Sequence, residues 1–231
     1  MVVGCDSAGG IGPKPLDKLK VNGYTLGKFT ARVPLMEVIS AGATPVCVID
    51  NLCVELNPTG AEILNGIRDE AKKAGLDPKL SVTGSSEKNF AVEQTGLGVT
   101  VIGLTLKKSL RIGVSQPGDL VVALGNPCVG AEVVPGENKG LICNVTDVLK
   151  LLSLGIVHEV IPVGSEGIKH EVDVLAAGSG LKFTRNFSFK LAVFEKSAGP
   201  ATVLLATLPV AKLGLVERCF SKPVNAVGVL Q

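Results

Sequence analysis

The chain has 231 residues, enough for one large domain or two small ones. Hydrophobic residues make up 46% and aromatics only 3%, with no tryptophan, so its cores are built from Val, Leu, Ile and Ala. A net charge of +2 gives no electrostatic case for nucleic acid. No run reaches the roughly 18 apolar residues of a membrane span, and the first residues lack the basic and long apolar regions of a signal peptide. A cytoplasmic protein with no nucleic-acid or membrane partner is therefore expected. Cys5, Cys47, Cys53, Cys128, Cys143 and Cys219 form no C-x-x-C pair, and with two histidines in the chain this argues against zinc. Most of these cysteines lie in apolar runs and are expected to be reduced core residues.

In chain order, residues 1–12 read as an apolar strand that delivers Asp6 into a glycine-rich turn, Gly9-Gly10-Ile11-Gly12. Residues 30–42 have helical spacing, with Pro34 in the first turn and Gly42 as the stop. A strand is expected over 45–56. A helix over 59–74 follows, with Thr59 as cap, Glu62 completing a capping box and Gly75 at its end. Residues 80–83 read as a short strand into a second polar turn, Thr83 to Asn89, and 96–106 as a strand rich in β-branched residues. A boundary is expected near 107–118, dividing the chain into domains 1–112 and 113–231. Beyond it the pattern gives strands at 120–124, 159–163, 181–184, 192–195, 202–207 and 226–230, with helices at 146–154, 167–177 and 210–220. This alternation implies an α+β protein of two α/β-type domains, each with helices packed on a sheet.

The two polar turns carry the chemistry. Asp6 is either the local acceptor of an Asx turn or part of a metal- and phosphate-handling site in which bare glycine N–H groups approach an anion. Lys14 and Lys18 lie just beyond and are either phosphate partners or solvated. Glu37 interrupts an apolar helical run as either a surface carboxylate or a ligand for Mg²⁺, which favours hard oxygen donors. Asp50 and Asn51 follow the apolar run 46–49 and are further candidates. Thr83 to Asn89 supplies two hydroxyl types, a glycine, a carboxylate, an ammonium and an amide within seven residues. The standard nucleotide motifs are absent: Gly23 to Phe29 is one residue short of a phosphate loop, and no dinucleotide fingerprint follows Gly96 and Gly98. His158 and His170 read as structural or surface residues.

Taken together, the Asp6 strand, Val33-Pro34-Leu35-Met36-Glu37-Val38-Ile39-Ser40-Ala41-Gly42-Ala43-Thr44-Pro45, Val82-Thr83-Gly84-Ser85-Ser86-Glu87, Gln116 to Val122 and Gly164-Ser165-Glu166-Gly167-Ile168 resemble the aminoimidazole ribonucleotide synthetase-like (PurM-like) superfamily of ATP-using enzymes. Gly4 to Gly12, Phe29 to Arg32 and Thr83 to Phe90 are most similar to its α-ribazole kinase group, which acts in cobalamin lower-ligand salvage. The resemblance implies a PurM-like N-terminal domain that pairs with its twin in a dimeric β-barrel, and a PurM-like C-terminal α/β domain. It implies ATP and Mg²⁺ as cofactors, with Asp6, Glu37 and Asp50 as metal ligands. Ser7, Gly9, Gly10, Lys14, Thr83, Gly84, Ser85, Ser86 and Asn89 would contact ATP or its phosphates, with Asp6 and Glu87 as catalytic carboxylates. The expected activity is phosphorylation of a hydroxyl on a ribosyl or vitamin-like small molecule by a homodimer. A ligase or cyclase of the same fold and a non-catalytic nucleotide-binding dimer are the alternatives. The chain departs from the kinase relatives in showing no Gly-Asp-Asp segment before the first matched strand and no Asp at Gly84-Ser85.

Overall fold

The computed structural model describes residues 1–186 and 188–231. The chain divides into two compact units: Met1–Ile39 with Ala43–Leu106, and Ser40–Gly42 with Lys107–Gln231. The division after Leu106 falls six residues before the expected boundary.

The first unit is a four-stranded sheet in the order β1-β6-β4-β5, where β1 is Val2–Gly9, β4 Thr44–Leu52, β5 Val82–Ser86 and β6 Gly96–Leu104. The pair β4/β5 is parallel and the others antiparallel. Ile11–Gly12 (β2) and Leu19–Lys20 (β3) form a small separate pair. Alternation sets the two sides of the sheet. Val48, Leu52, Leu97, Val99 and Val101 are buried, whereas Val3, Cys5, Ser7 and Asn51 are exposed on the other side. One side is therefore covered and the other open.

The cover is helix α1 (Gly23–Ser40) with α2 (Ala61–Lys73). α1 begins seven residues before the expected start because Asn22 caps it, its Oδ1 accepting the Thr25 N–H at 2.8 Å. Pro34 is thus inside the helix rather than in its first turn. The two helices approach so closely that a Cβ on Gly27 would strike the Ile63 carbonyl, and one on Gly66 the Tyr24 carbonyl. Between them Arg32 donates to both oxygens of Glu70, at 3.3 and 2.9 Å, with both side chains fully buried. The expected capping box at Thr59 does not form. Leu56–Gly60 make an irregular turn in which Asn57 is extended, Thr59 donates to Glu55 at 2.6 Å, and Glu62 accepts the Gly23 N–H at 3.1 Å. Residues 78–81 are a helical turn, α3, capped by Asp77 onto Lys79, rather than the start of a strand.

The second unit is a five-stranded antiparallel sheet in the order β8-β10-β7-β11-β9, comprising Glu159–Val163, Val203–Pro209, Asp119–Leu124, Val224–Leu230 and Phe183–Arg185 respectively. All six residues of β7 are buried, so both sides of this sheet are covered. Helix α6 (Gly167–Ser179) supplies Ile168, Val172 and Leu175 to one core, against Val121, Ala123, Leu205 and Val227. α4 (Val133–Asn138), α5 (Val145–Ser153) and α8 (Leu213–Cys219) are the remaining longer helices. The expected strand at 192–195 is a helical turn, α7 (Leu191–Phe194), in which Phe194 packs on Phe183 and Phe189, so tertiary burial overrides β-propensity. Glu159, itself buried, accepts the N–H groups of Gly113, Val114 and Ser115 at 2.8, 3.1 and 3.2 Å. Only Cys128 and Cys143 are buried among the six free cysteines; Cys5 and Cys53 are exposed, so the core reading fails for those positions. No helix among the described residues is long and apolar enough to cross a membrane.

The Arg32–Glu70 pair generates a stability prediction. Glu70→Ala leaves a buried guanidinium without its carboxylate and is expected to cost about 3–5 kcal/mol. Lys73→Ala removes only the partly exposed third member, 2.7 Å from Glu70, and should cost under about 1 kcal/mol. Equal urea midpoints for the two variants would contradict this.

Candidate functional site

The carboxylates proposed from sequence sort by register onto the covered side of the first sheet. Asp6 on β1 and Asp50 on β4 are both paired with Val99 on β6, and Asp50 is paired on its other side with Gly84 on β5. Asp6, Val99, Asp50 and Gly84 thus form one row across the sheet, with side chains to the same face. Neither aspartate stands at a strand end as expected: Asp6 is three residues inside β1, and Asp50 and Asn51 lie within β4. Glu37 comes to this face from α1. Its Oε2 would be 2.9 Å from a Cβ on Gly4, the residue two before Asp6 on the same side of β1.

Glycine makes this arrangement possible at two points. At Gly4, a side chain would collide with Glu37 and with the Pro34 carbonyl. At Gly84, it would fall 2.5 Å from Oδ1 of Asp50, whose carboxyl group lies over the bare Cα. Burial raises both acids. Asp6 is pushed above the ordinary carboxylate range by desolvation, partly offset by the Ser7 N–H. Asp50, 2% exposed, is pushed up to about 6 by desolvation, against its own N–H and the charge of Arg68.

A divalent cation suits this donor set in kind, since the donors are hard carboxylate oxygens in a partly desolvated place. Among the described residues no three His, Cys, Asp or Glu side chains group closely enough to hold a metal by themselves. Asp6, Glu37 and Asp50 are therefore not a complete protein cage. Mg²⁺ ordinarily takes one or two carboxylates and completes its shell with water and phosphate. Asp6, half-buried, and Glu37, half-buried, are the accessible pair; Asp50 is closed in and adds a second negative charge to the row.

The remaining proposed residues lie elsewhere. Ser7 and Gly9 on β1, and Thr83 and Ser85 on β5, point to the open face, opposite the carboxylates. Ser86 shares the covered side with Gly84. The expected Thr83–Asn89 turn is thus a strand through Ser86, followed by a turn. Glu87 closes that turn by accepting the N–H groups of Asn89 and Phe90 at 2.6 and 3.3 Å, which hold its carboxyl below the usual range. Both the position and the lowered basicity argue against Glu87 as a proton acceptor.

The glycine-rich turn is satisfied from within. Gly10 gives its N–H to the Thr95 carbonyl at 2.9 Å, and Asp17 accepts from Lys14 N, Thr95 N and Thr95 Oγ1 at 2.7–2.8 Å. Lys14 Nζ is engaged at 2.6 Å by Glu55, which is driven down to about 2 by hydrogen bonds from Lys14 and Thr59 despite partial desolvation. Gly10 and Lys14 are thus committed to the loop rather than arrayed as a phosphate cradle. Asp17, Glu55 and Thr95 organise this loop, and no spacing rule marks them in the sequence.

Residues 2–105 match the family described as AIR synthase related protein, N-terminal domain. That match falls almost entirely within the first unit. No curated protein matches the chain in sequence. Among solved structures, E. coli HypE, a hydrogenase maturation protein, is similar with a TM-score of 0.70 at 14% identity, over 100% of this chain and 80% of that one. Thiamine-monophosphate kinase from Stenotrophomonas maltophilia K279a gives 0.66 at 15%, over 99% and 82%. T. maritima PurL complexed with ATP gives 0.62 at 15%, over 99% of this chain but 40% of PurL. At such identities the likeness is one of fold alone, a mixed α+β fold.

Asp50 yields a prediction with a definite sign. Its value of about 6 in the folded chain exceeds the ordinary 3.8, so the folded state binds the proton more tightly. Stability therefore falls as pH rises from about 4 to 6, and the penalty is complete above that interval. Asp50→Asn is expected to be more stable than the parent at pH 7.5 by on the order of 2 kcal/mol, the advantage vanishing below about pH 4. Thermal unfolding across pH measures it, and a destabilised variant at pH 7.5 would show that the charge has a stabilising partner.

Proposed function

We propose that this protein is a cytoplasmic, Mg²⁺- and ATP-dependent kinase that phosphorylates a hydroxyl of a ribosyl or vitamin-like small molecule, α-ribazole of cobalamin salvage being the first candidate acceptor. The observation that carries the reading is the row Asp6–Val99–Asp50 with Glu37 beside it: acidic oxygens kept on a covered face at an electrostatic cost, with Gly4 and Gly84 clearing space for them. Solved structures of the same fold include a thiamine-monophosphate kinase and proteins complexed with ATP, which supports nucleotide use.

Phosphoryl transfer asks for positioning and charge neutralisation more than for covalent chemistry. Bound Mg²⁺ would neutralise phosphate oxygens. Asp6 and Glu37 would hold it, and Asp50 would reinforce the negative field behind them. Asp6, held above the ordinary carboxylate range by burial, would also accept the acceptor's hydroxyl proton. The open face of the sheet, with Val3 51% exposed beside Cys5 and Thr100, supports the further reading that a second copy of the chain closes over it.

Two measurements test this. The chain with ATP and Mg²⁺ is offered a panel of ribosides and vitamin precursors, and the products are weighed. Gain of one phosphoryl group with ADP formed is expected, whereas release of free phosphate alone would indicate ligase or cyclase chemistry. Asp6→Asn should lower kcat on the order of 10²-fold or more without loss of thermal stability; a fall in melting temperature with kcat unchanged would mark Asp6 as a structural residue of β1. Separately, Val3→Arg is expected to shift the sedimentation of the chain from dimer to monomer, and an unchanged dimer would place the interface elsewhere.

A further inference from the structure

The chain contains two Asn-Gly pairs, Asn22-Gly23 and Asn65-Gly66. Both asparagines are exposed and both glycines are buried. An asparagine followed by glycine is open to one reaction: the glycine nitrogen, with no Cβ in its path, closes on the side-chain carbonyl carbon. The two pairs differ in how the glycine N–H is engaged. Gly66 lies inside α2, so its N–H belongs to the helical ladder. Gly23 is the first residue of α1, where a backbone N–H has no helical acceptor.

The Gly23 N–H is taken by a side chain instead. Glu62 Oε2 accepts it at 3.1 Å, and Glu62 lies so close that a Cβ on Gly23 would be 2.8 Å from the Glu62 Cβ. On the other side of the pair, Asn22 Oδ1 accepts the Thr25 N–H at 2.8 Å. The nitrogen that would attack therefore faces a base, and the oxygen that would gain negative charge faces a backbone donor. Around Gly66 the nearest groups are main-chain atoms of α1, the Tyr24 carbonyl and the Lys28 nitrogen.

We infer that Asn22 is a self-modifying site, deamidating within the folded chain with Glu62 as the base. Glu62 removes the Gly23 amide proton. The Gly23 nitrogen bonds to Asn22 Cγ, the Cγ–Nδ2 bond breaks, and the proton held by Glu62 leaves with Nδ2 as ammonia. Water then opens the cyclic imide at one carbonyl to give aspartate, or at the other to give isoaspartate. Each product puts one new negative charge at the start of the helix that carries Glu37. The chemistry needs no cofactor and is independent of the kinase reading.

The full chain is held folded in mildly alkaline buffer made with heavy-oxygen water, and its peptides are weighed over time. Asn22 is expected to convert with uptake of one heavy oxygen while Asn65 stays an asparagine. In strong urea, where the helices are lost, the two pairs should convert at like rates. Glu62→Gln should slow Asn22 roughly tenfold in the folded chain, less than a full general-base effect because hydroxide supplies a parallel route, and leave the rate in urea unchanged. Glu62→Asp, one methylene shorter, should also slow it, which covers the case in which Glu62→Gln does not fold. No conversion of Asn22 in the folded chain, conversion of Asn65 at the same rate, or an undiminished rate in either folded Glu62 variant would overturn the site.

Discussion

Desolvated carboxylates are the constraint around which the first unit is organised. Placing Asp6 and Asp50 on the helix-covered side of a sheet works against their charge, and both are raised accordingly. The surroundings accommodate the groups without neutralising them. Glycine replaces any side chain beneath Asp50 and beneath Glu37, and the one cation acting on Asp50, Arg68, leaves it well above its ordinary value. Elsewhere in the same unit the treatment is the opposite. Glu70 is buried against Arg32, Glu55 is driven down by Lys14 and Thr59, and Asp17 is surrounded by donors. A chain that pairs its structural acids this thoroughly, yet leaves two in an unfavourable row, concentrates its unsatisfied charge in one place.

The contrast also separates scaffold from chemistry in the loops. The turn from Gly9 to Lys20 has the composition of an anion-binding loop, but its donors are consumed internally by Thr95 and Asp17. Its function in the fold is to fix the end of the sheet on which the loops after β4 and β5 also converge. Residues with suggestive chemistry are thus divided between two faces of one sheet, and only the subset on the covered side forms a coherent charge pattern.

Much of the fold was legible because hydrophobic period and punctuation agree locally. The strand at 159–163 is read from a short apolar run, and the stop of α2 from Gly75 just beyond its last turn. The errors have physical causes. Asn22 starts α1 earlier than the apolar pattern does, because a cap is a local polar contact and not a hydrophobic signal. Thr59 and Glu62 look like a capping box but bond to Glu55 and Gly23, partners distant in mechanism from the helix they flank. Val193 and Phe194 favour a strand until the packing of Phe194 on two other rings selects a helical turn. Asp6, Glu37 and Asp50 were found as residue types, but the two aspartates share a face through the pairing of three strands and Glu37 joins them through the placement of α1, which no single segment encodes. Ser7 and Thr83 sat beside them in sequence and lie on the opposite side for the same reason: a one-residue step reverses direction in a strand.

Glu159 has a consequence for how this chain tolerates change. It grips Gly113, Val114 and Ser115 by their peptide nitrogens, with the hydroxyls of Ser115 at 2.8 Å and Ser179 at 3.5 Å added. A clasp read through the main chain is indifferent to the side chain at Val114, so that site is free to drift. The burden of fidelity falls on one partner, the glutamate, and a lineage that loses it has no neighbouring substitution in the gripped segment that restores the hold.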